Sequence, residues 1–272
     1  MTKTRSWSSR LVVEYVSAAP AAVKSAARAL RVVEFFDEIR RPARANEIAE
    51  RLAIPQSSAS VLLNSLVRLG YLDFDVRAKT YVPSIRIAVL ATWRDTGCFR
   101  DGSMLALLEG LAARTGLAAC LVGREGIFTR YLQIVQSTRP GGVHIPLSVR
   151  RFAVKSAPGI VLLGDEPDAE IRLVVHRTRA EEAAKVPGMS LHDVMERVER
   201  ARADSYFLSD GLVDPRNGGI AVALPTAITG GWQKMALSVA GRREEVSERE
   251  GELVGSLVEA VRSVVPPSGS GS

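Results

Sequence analysis

The chain has 272 residues, of which 46% are hydrophobic and 24% charged. This is the composition of a folded globular protein, so it excludes wholesale disorder and a collagen-like or coiled-coil rod. No run approaches the ~18 uncharged apolar residues of a membrane span, so no membrane partner is expected. The two cysteines lie far apart and only three histidines are present, so we expect no disulfide scaffold, no metal site and no cofactor.

The net charge of +6 is distributed unevenly along the sequence. Residues 1–23 carry a net charge of +2, residues 24–84 carry +3 and residues 85–272 carry +1. A basic segment joined to a nearly neutral one is typical of a module that binds a polyanion and is attached to a second domain.

The first third of the sequence predicts a helical unit that ends in a hairpin. Apolar residues recur with the 3.6-residue period of an amphipathic helix over residues 23–37, which Arg40-Arg41-Pro42 ends. The apolar face of this helix consists of Ala26, Ala29, Leu30, Val33, Phe35 and Phe36. The elements that follow are a short helix over 46–52, a turn over 53–55, a helix over 56–69, and strands over 71–74 and 80–82. This order is that of a winged helix-turn-helix, in which the third helix enters the major groove of DNA.

The third predicted helix has an apolar face and a small polar face. Its apolar face consists of Ala59, Leu62, Leu63, Leu66 and Leu69. Short side chains on the other face allow close approach to base edges, where Asn64 suits adenine and Val61 suits a thymine methyl group. Basic side chains on this helix and on the wing suit phosphates. The predicted DNA contacts are Gln56, Ser57, Ser58, Ser60, Val61, Asn64, Arg68, Arg77 and Lys79. A helical unit that only packs against a neighbour is the alternative.

Several segments of this unit resemble the N-terminal domain of the IclR family of bacterial transcription regulators. The matching segments are Ser25-Ala26-Ala27-Arg28-Ala29-Leu30, Glu47-Ile48-Ala49-Glu50-Arg51-Leu52, Pro55-Gln56-Ser57-Ser58, Leu62-Leu63 and Leu69-Gly70-Tyr71-Leu72. The resemblance implies a sequence-specific regulator that binds double-stranded operator DNA. Gln56, Ser60, Val61 and Arg44 stand where the family usually has other residues, so the operator sequence does not follow from it.

Residues 84–99 predict a connecting helix with an apolar stripe. The stripe consists of Ile85, Ala88, Val89, Thr92 and Trp93. Such a stripe usually packs on a neighbouring element or on a second copy of the chain. The family resemblance implies that this helix links two domains and helps dimerisation, so we expect a homodimer or a dimer of dimers.

Residues 102–265 mix helical and strand periods, which predicts an α+β domain of about 160 residues with its own core. The predicted helices cover 104–115, 157–163, 168–176, 191–204 and 244–264. The predicted strands cover 118–122 and 127–135 around a turn at 123–126, then 220–227 and 232–240 around a turn at 229–231.

This half resembles the GAF-like effector-binding domain of the same family. The matching segments are Lys155-Ser156-Ala157-Pro158-Gly159, Gly219-Ile220-Ala221-Val222-Ala223-Leu224-Pro225 and Ala236-Leu237-Ser238-Val239-Ala240-Gly241. The resemblance implies a small-molecule pocket in which a loop and a helix N-terminus hold a carboxylate, and unpaired N–H groups suit that role. The implied effector-binding residues are Lys155, Ser156, Ala157, Gly159, Ser209, Asp210, Ala221 and Ser238.

The chemistry of the implied pocket suggests the kind of effector. Ala221 and Ala240 replace the cysteine and the second serine that are common in the family, which favours a larger or more apolar ligand than a short keto acid, such as an aromatic acid. The neighbouring basic run of Arg150, Arg151 and Lys155 either attracts an anionic ligand or forms a solvated surface.

The sequence therefore predicts a cytoplasmic DNA-binding transcriptional regulator controlled by a small-molecule effector. The predicted organisation is a flexible arm over 1–23, a winged helix-turn-helix over 24–84, a linker helix over 85–100, the effector-binding domain over 101–265 and a flexible tail over 266–272. One alternative is a DNA-binding protein whose second domain only oligomerises. Another is a small-molecule enzyme, but the sequence lacks the Walker A, GxSxG and HExxH motifs, so no enzymatic activity is expected.

Overall fold

The structure is a computed structural model in which the chain divides into two compact units. It describes residues 23–91 of the first unit and residues 102–146, 149–182, 189–229 and 234–264 of the second. The predicted tail and most of the predicted arm lie outside the described residues, as does the part of the predicted linker helix after residue 91. None of the described helices is long and apolar enough to cross a membrane.

The first unit consists of helices followed by a two-stranded antiparallel hairpin and a further helix. Its elements are α1 (Lys24–Ile39), α2 (Ala45–Leu52), α3 (Gln56–Arg68), β1 (Leu72–Asp75), β2 (Thr80–Pro83) and α4 (Ile85–Ala91). The bounds of α1–α3 and of both strands agree with the predicted ones to within two residues. The predicted winged helix-turn-helix is therefore confirmed.

The buried face of α1 differs from the predicted one. Val32, Phe35 and Phe36 are buried, whereas Leu30 is 65% exposed and Val33 is only half-buried. Two adjacent phenylalanine rings offer far more apolar area than the alanines before them, so they decide which face packs on α2 and α3.

The end of α3 sets the direction of the hairpin. Gly70 adopts a φ of +77°, and its N–H donates to the Val67 carbonyl while the Tyr71 N–H donates to the Leu66 carbonyl. This pair of bonds is a Schellman motif, which satisfies the last carbonyls of the helix. Leu69, which was predicted to be buried, is 61% exposed because it caps the helix beyond its last packed turn.

The second unit is built on a six-stranded antiparallel sheet of order β5-β4-β3-β8-β7-β6. Its strands are β3 (Ala118–Glu125), β4 (Phe128–Val135), β5 (Arg150–Phe152), β6 (Phe207–Asp210), β7 (Asn217–Ala223) and β8 (Met235–Arg242). Its helices are α5 (Ser103–Thr115), α6 (Ala157–Gly164), α7 (Asp168–Glu182), α8 (Leu191–Asp204), α9 (Thr226–Thr229), α10 (Arg243–Glu248) and α11 (Glu250–Val264).

Helices cover both faces of this sheet. On the outer face, Leu121, Leu237 and Val239 pack with apolar residues of α5, α10 and α11. On the opposite face, which we call the inner face, α6 packs across β3, β4, β7 and β8, and α6, α7 and α8 share a second apolar cluster with Ala221. The predicted α+β class is confirmed.

Several predicted boundaries in the second unit were wrong. β7 ends at Ala223 and Thr226–Thr229 is helical, so the strand predicted to reach residue 227 is shorter. The predicted closing helix is divided at Arg249 into α10 and α11. The sequence analysis missed β5 and β6 because strands of three or four residues show too little alternation to be recognised.

A half-buried ionic cluster ties β3 to the start of α7 and the start of β8. The Glu166 carboxylate lies 2.6 Å from the Arg124 guanidinium and 3.3 Å from the Lys234 ammonium. Burial raises the pKa of Glu166, but the hydrogen bonds and charges of its two basic partners outweigh this effect and hold the pKa below its usual value.

Candidate functional site

The exposed side of α3 carries most of the predicted DNA contacts. Val61 is 68% exposed, and Asn64 and Arg68 are exposed beside it. Gln56 and Ser57 are also exposed, whereas Ser58 and Ser60 are half-buried. The other side of the helix buries Ala59, Leu63 and Leu66, so the core of the unit is complete without the exposed side chains.

Ser65 lies on the same exposed side and was not among the predicted contacts. Its hydroxyl donates to the Val61 carbonyl at 2.8 Å, within the helix itself. A serine in this bond is partly satisfied by its own backbone. Ser65 is therefore a natural comparison for Asn64, which occupies the preceding position.

The wing presents two basic side chains from an ordered turn. The Asp75 carboxylate accepts hydrogen bonds from the N–H groups of Arg77, at 2.8 Å, and Ala78, at 3.0 Å. Lys79 has a φ of +54°, and the Phe74 and Tyr81 rings pack across the hairpin with centroids 4.6 Å apart. Arg77 and Lys79 are both exposed.

Some basic residues in the described part of the first unit are paired with acidic side chains, whereas those of α3 and the wing are not. Arg41 pairs with Glu47, and Arg51 pairs with Glu38 at 2.6 Å. Within residues 23–91, Arg68, Arg77 and Lys79 form no ion pair. A cation without an acidic partner keeps its full attraction for phosphate, so the exposed side of α3 and the wing have the charge that a nucleic-acid interface requires.

In the second unit, Ser156 caps the N-terminus of α6. Its Oγ accepts the Gly159 N–H at 3.2 Å, and its own N–H donates to the Ala153 carbonyl at 3.4 Å. Pro158 has no N–H to offer. Of the first four backbone positions, only Ala157 has an N–H that these contacts leave for a ligand.

Glycine is required at position 159 because the backbone of Ala153 passes close to it. A Cβ built at this position would lie 2.0 Å from the Ala153 carbonyl oxygen. The close approach of the two backbone segments therefore explains why glycine stands here.

Three of the other predicted effector residues share the inner face of the sheet. Ser238 pairs in register with Cys120 on one side and with Ala221 on the other, and Ser209 lies on the neighbouring strand opposite Gly219. Ser209 and Ser238 are buried. Asp210 is exposed and accepts a hydrogen bond from Arg243 at 2.8 Å, so its carboxylate does not lie on the inner face.

The basic run before α6 does not form one patch. Arg150 and Arg151 are consecutive residues of β5, and consecutive strand residues point to opposite faces. The Arg150 guanidinium lies 4.1 Å from the centre of the Phe128 ring, whereas the Arg151 guanidinium lies 5.6 Å from the centre of the Tyr131 ring. Lys155, further on, is half-buried. The predicted cluster is therefore wrong as a single surface.

The inner face also holds polar residues that the sequence analysis did not single out. Thr129 is fully buried, and its Oγ1 lies 3.3 Å from the Ser156 Oγ, which links β4 to the start of α6. A shift in register between β3 and β4 places Tyr131 opposite Val122 and Ile134 opposite Cys120. A bulge of this kind does not follow from alternation along the sequence.

Burial and the charge of Arg151 act in opposite directions on the titratable groups of this face. Burial raises the pKa of the Cys120 thiol to about 12, and the charge of Arg151 partly opposes this shift. Burial likewise raises the pKa of Tyr131, again against Arg151. Both groups are therefore neutral at pH 7, and Arg151 is the charged group beside them. Among the residues with a described position, no group of three or more His, Cys, Asp or Glu side chains is arranged to hold a metal ion.

The first unit combines a winged helix-turn-helix with exposed cations that have no acidic partner among the described residues, and a second folded unit follows it. This combination is typical of DNA-binding regulators built from two units. Residues 25–76 match the IclR helix-turn-helix domain. The chain is 24% identical over 216 residues to the HTH-type transcriptional regulator TsaQ1/TsaQ2 of Comamonas testosteroni, a match that covers 74% of this chain and 73% of that protein.

Two solved structures of similar fold span nearly the whole chain. An IclR transcriptional regulator from Alicyclobacillus acidocaldarius has a TM-score of 0.56 at 22% identity, covering 89% of this chain and 97% of that one. An IclR homolog from Microbacterium hydrocarbonoxydans, complexed with 4-hydroxybenzoate, has a TM-score of 0.56 at 21% identity, covering 88% and 97%. The first unit therefore carries an IclR helix-turn-helix domain, and the chain is similar in fold to solved IclR regulators.

Proposed function

We propose that this regulator binds a specific operator in double-stranded DNA through α3 and the wing, and that a small organic acid bound to the second unit changes its affinity for that operator. The exposed polar side of α3 is the observation that carries the first half of the proposal. The core of the unit is complete without these side chains, so they are available for base edges in the major groove.

The roles of the individual side chains follow from their chemistry and position. Asn64 projects an amide from the middle of the exposed side and would read adenine, while Val61 would contact a thymine methyl group. Arg68 on α3 and Arg77 and Lys79 on the wing would contact phosphates, which fix the register of the protein on the duplex.

The second half of the proposal is supported by the inner face of the sheet. It combines buried hydroxyl groups with small apolar side chains at the positions of the predicted effector residues, and α6 covers it. The homologous protein complexed with 4-hydroxybenzoate has the same fold, which supports an aromatic acid as the effector here. A ligand can alter DNA affinity only if it binds the two states of the protein differently.

The proposed assembly is a homodimer or a dimer of dimers. On α4, Ile85 is 78% exposed, Val89 is 58% exposed and Leu90 is 49% exposed. Exposed apolar side chains at this spacing favour contact with a second copy. A symmetric dimer presents two α3 helices to half-sites about 34 Å apart, one turn of DNA. We further propose that the protein acts in the cytoplasm and has no catalytic activity.

The experiment is a gel-shift titration of the full chain on the DNA upstream of its own gene, at two salt concentrations and with excess nonspecific competitor. A discrete shift that survives competitor supports operator binding. A shift that salt and competitor both abolish would reduce the activity to electrostatic attraction. Adding 4-hydroxybenzoate to the same titration tests the second unit. A unit that senses this acid changes the affinity for the operator, whereas a unit that only oligomerises leaves that affinity unchanged.

A further inference from the structure

Arg151 is a half-buried cation whose charge the described residues do not compensate. It stands on β5 opposite Thr129, and its guanidinium lies over the Tyr131 ring. Its Nε is fully buried and has no hydrogen-bond partner, and none of the ion pairs of the described chain includes it. A charge taken partly out of water is unfavourable unless it is paired and hydrogen-bonded, so this position on the inner face favours an anionic ligand.

Asp214, in the segment between β6 and β7, is an acidic group whose pKa is affected by the charge of Arg151. The pKa of Asp214 is lowered to about 2, chiefly by hydrogen bonds from the side chain and backbone of Arg216, with a smaller contribution from the charge of Arg151. Both Asp214 oxygens are engaged by the Arg216 side chain, at 3.1 and 2.8 Å. Asp214 is therefore committed to Arg216 and does not neutralise Arg151.

The N-terminus of α6 is a poor alternative site for an anion. The Ser156 Oγ already caps the Gly159 N–H, and Pro158 contributes no donor. One remaining N–H, that of Ala157, cannot form the two parallel hydrogen bonds with which a guanidinium binds a carboxylate. The Arg151 guanidinium offers more hydrogen-bond donors than the Ala157 N–H, and its Nε has no partner among the described residues.

We propose that the effector is an aromatic carboxylate whose anionic group pairs with Arg151 and whose ring lies along the inner face beside Tyr131 and Cys120. This inference rests on the proposed sensing role of the second unit and specifies the residue that selects the ligand. The neutral thiol and phenol leave the arginine as the charge that attracts the ligand. Ser238, which pairs with Cys120 on the neighbouring strand, places a further small polar side chain on the same face.

The test is calorimetric titration of the full chain with 4-hydroxybenzoate and benzoate, and with 4-hydroxybenzamide and benzamide as neutral counterparts of nearly equal shape. For the wild-type protein we expect the carboxylates to bind at least about tenfold more tightly than the amides. Arg151→Gln should weaken carboxylate binding by about tenfold to a hundredfold and leave amide binding unchanged. Arg151→Lys should fall between the two, because it keeps the charge but loses the fork of donors.

Arg150→Gln is the matched control, since Arg150 is the neighbouring arginine on the opposite face of the same strand and also has a buried Nε without a partner. It should leave carboxylate affinity at the wild-type value. Unfolding temperatures of all variants without ligand identify any that fail to fold. If the Arg151→Gln protein does not fold, two measurements still test the proposal. They are the comparison of acids with amides on the wild-type protein and the titration of Arg151→Lys.

The proposal is overturned if wild-type protein binds neither carboxylate at about 10 mM, a concentration that reveals even millimolar affinity. It is equally overturned if acids and amides bind alike, or if Arg151→Gln binds the acids as the wild type does. A parallel gel shift of the wild-type protein keeps the two proposals separate. Absence of a discrete DNA complex would refute operator binding whatever the titrations show, whereas an effector response that survives in Arg151→Gln would refute only the role of Arg151.

Discussion

Replacement of Gly159 by alanine should destabilise the second unit, although alanine is the better helix former. Gly159 lies in the first turn of α6, where a Cβ would meet the Ala153 carbonyl oxygen at 2.0 Å. Contacts of this kind are essentially never shorter than 3.0 Å, so the two backbone segments would have to separate by about 1 Å. That movement disrupts the hydrogen bonds of Ser156 to the Ala153 carbonyl and to the Gly159 N–H.

The size of the effect follows from these opposing contributions. Overpacking of a well-packed interior costs about 1–3 kcal/mol, and weakening of the two buried hydrogen bonds adds about 1–2 kcal/mol. The higher helix propensity of alanine returns about 1 kcal/mol. The net destabilisation is therefore about 1–4 kcal/mol, which lowers the unfolding temperature of a unit of this size by roughly 2–16 °C.

Differential scanning calorimetry of the full chain measures this change, and Gly110→Ala is the matched control. Gly110 lies inside α5, and a Cβ there would meet no other atom within 4 Å. Gly110→Ala should therefore stabilise the protein by about 0.5–1 kcal/mol, the opposite sign. A Gly159→Ala protein with an unchanged unfolding temperature but no ligand binding would refute the packing explanation and return Gly159 to the role of a ligand contact.

Three further predictions concern other parts of the chain. Asn64→Ala should weaken operator binding by about 1–3 kcal/mol in the gel shift while Ser65→Ala, whose hydroxyl is bonded within its own helix, should have little effect; equal losses would remove Asn64 from base recognition. Glu166→Gln should destabilise the second unit by roughly 1–3 kcal/mol at pH 7, because its two basic partners lose their counter-charge. The folded pKa of Glu166 is below the unfolded one, so its stabilisation is complete above the unfolded pKa and is lost as the pH falls through the folded pKa; unfolding temperatures between pH 7 and pH 3 should converge for the two proteins, and parallel curves would contradict this. Cys120, with its pKa near 12, should resist thiol reagents at pH 8 in a variant lacking the other cysteine until urea unfolds the protein; rapid labelling of the native state would show that the inner face is open to solvent.

Much of the first unit could be predicted because its determinants are local. The spacing of Ile48, Ala49 and Leu52, the glycine after α3 and the polar turn of the wing act within a few residues of one another, and the structure confirms all three. The buried face of α1 could not be predicted in the same way. Whether Val32 or Val33 is buried depends on how the two phenylalanine rings fit against the other helices.

The similarity to IclR regulators and the general fold also followed from the sequence, because the segments that carry them are short and contiguous. What the tertiary structure decided lies on the inner face of the second unit. Arg150 and Arg151 are equivalent in the sequence, and only the pairing of β5 with β4 turns one towards Phe128 and the other towards Tyr131. Likewise, the donors at the start of α6 look available to an anion until Ser156 is seen to cap them. Residues far apart in the chain meet there, and whether a polar group is already satisfied depends on those distant partners rather than on its neighbours in sequence.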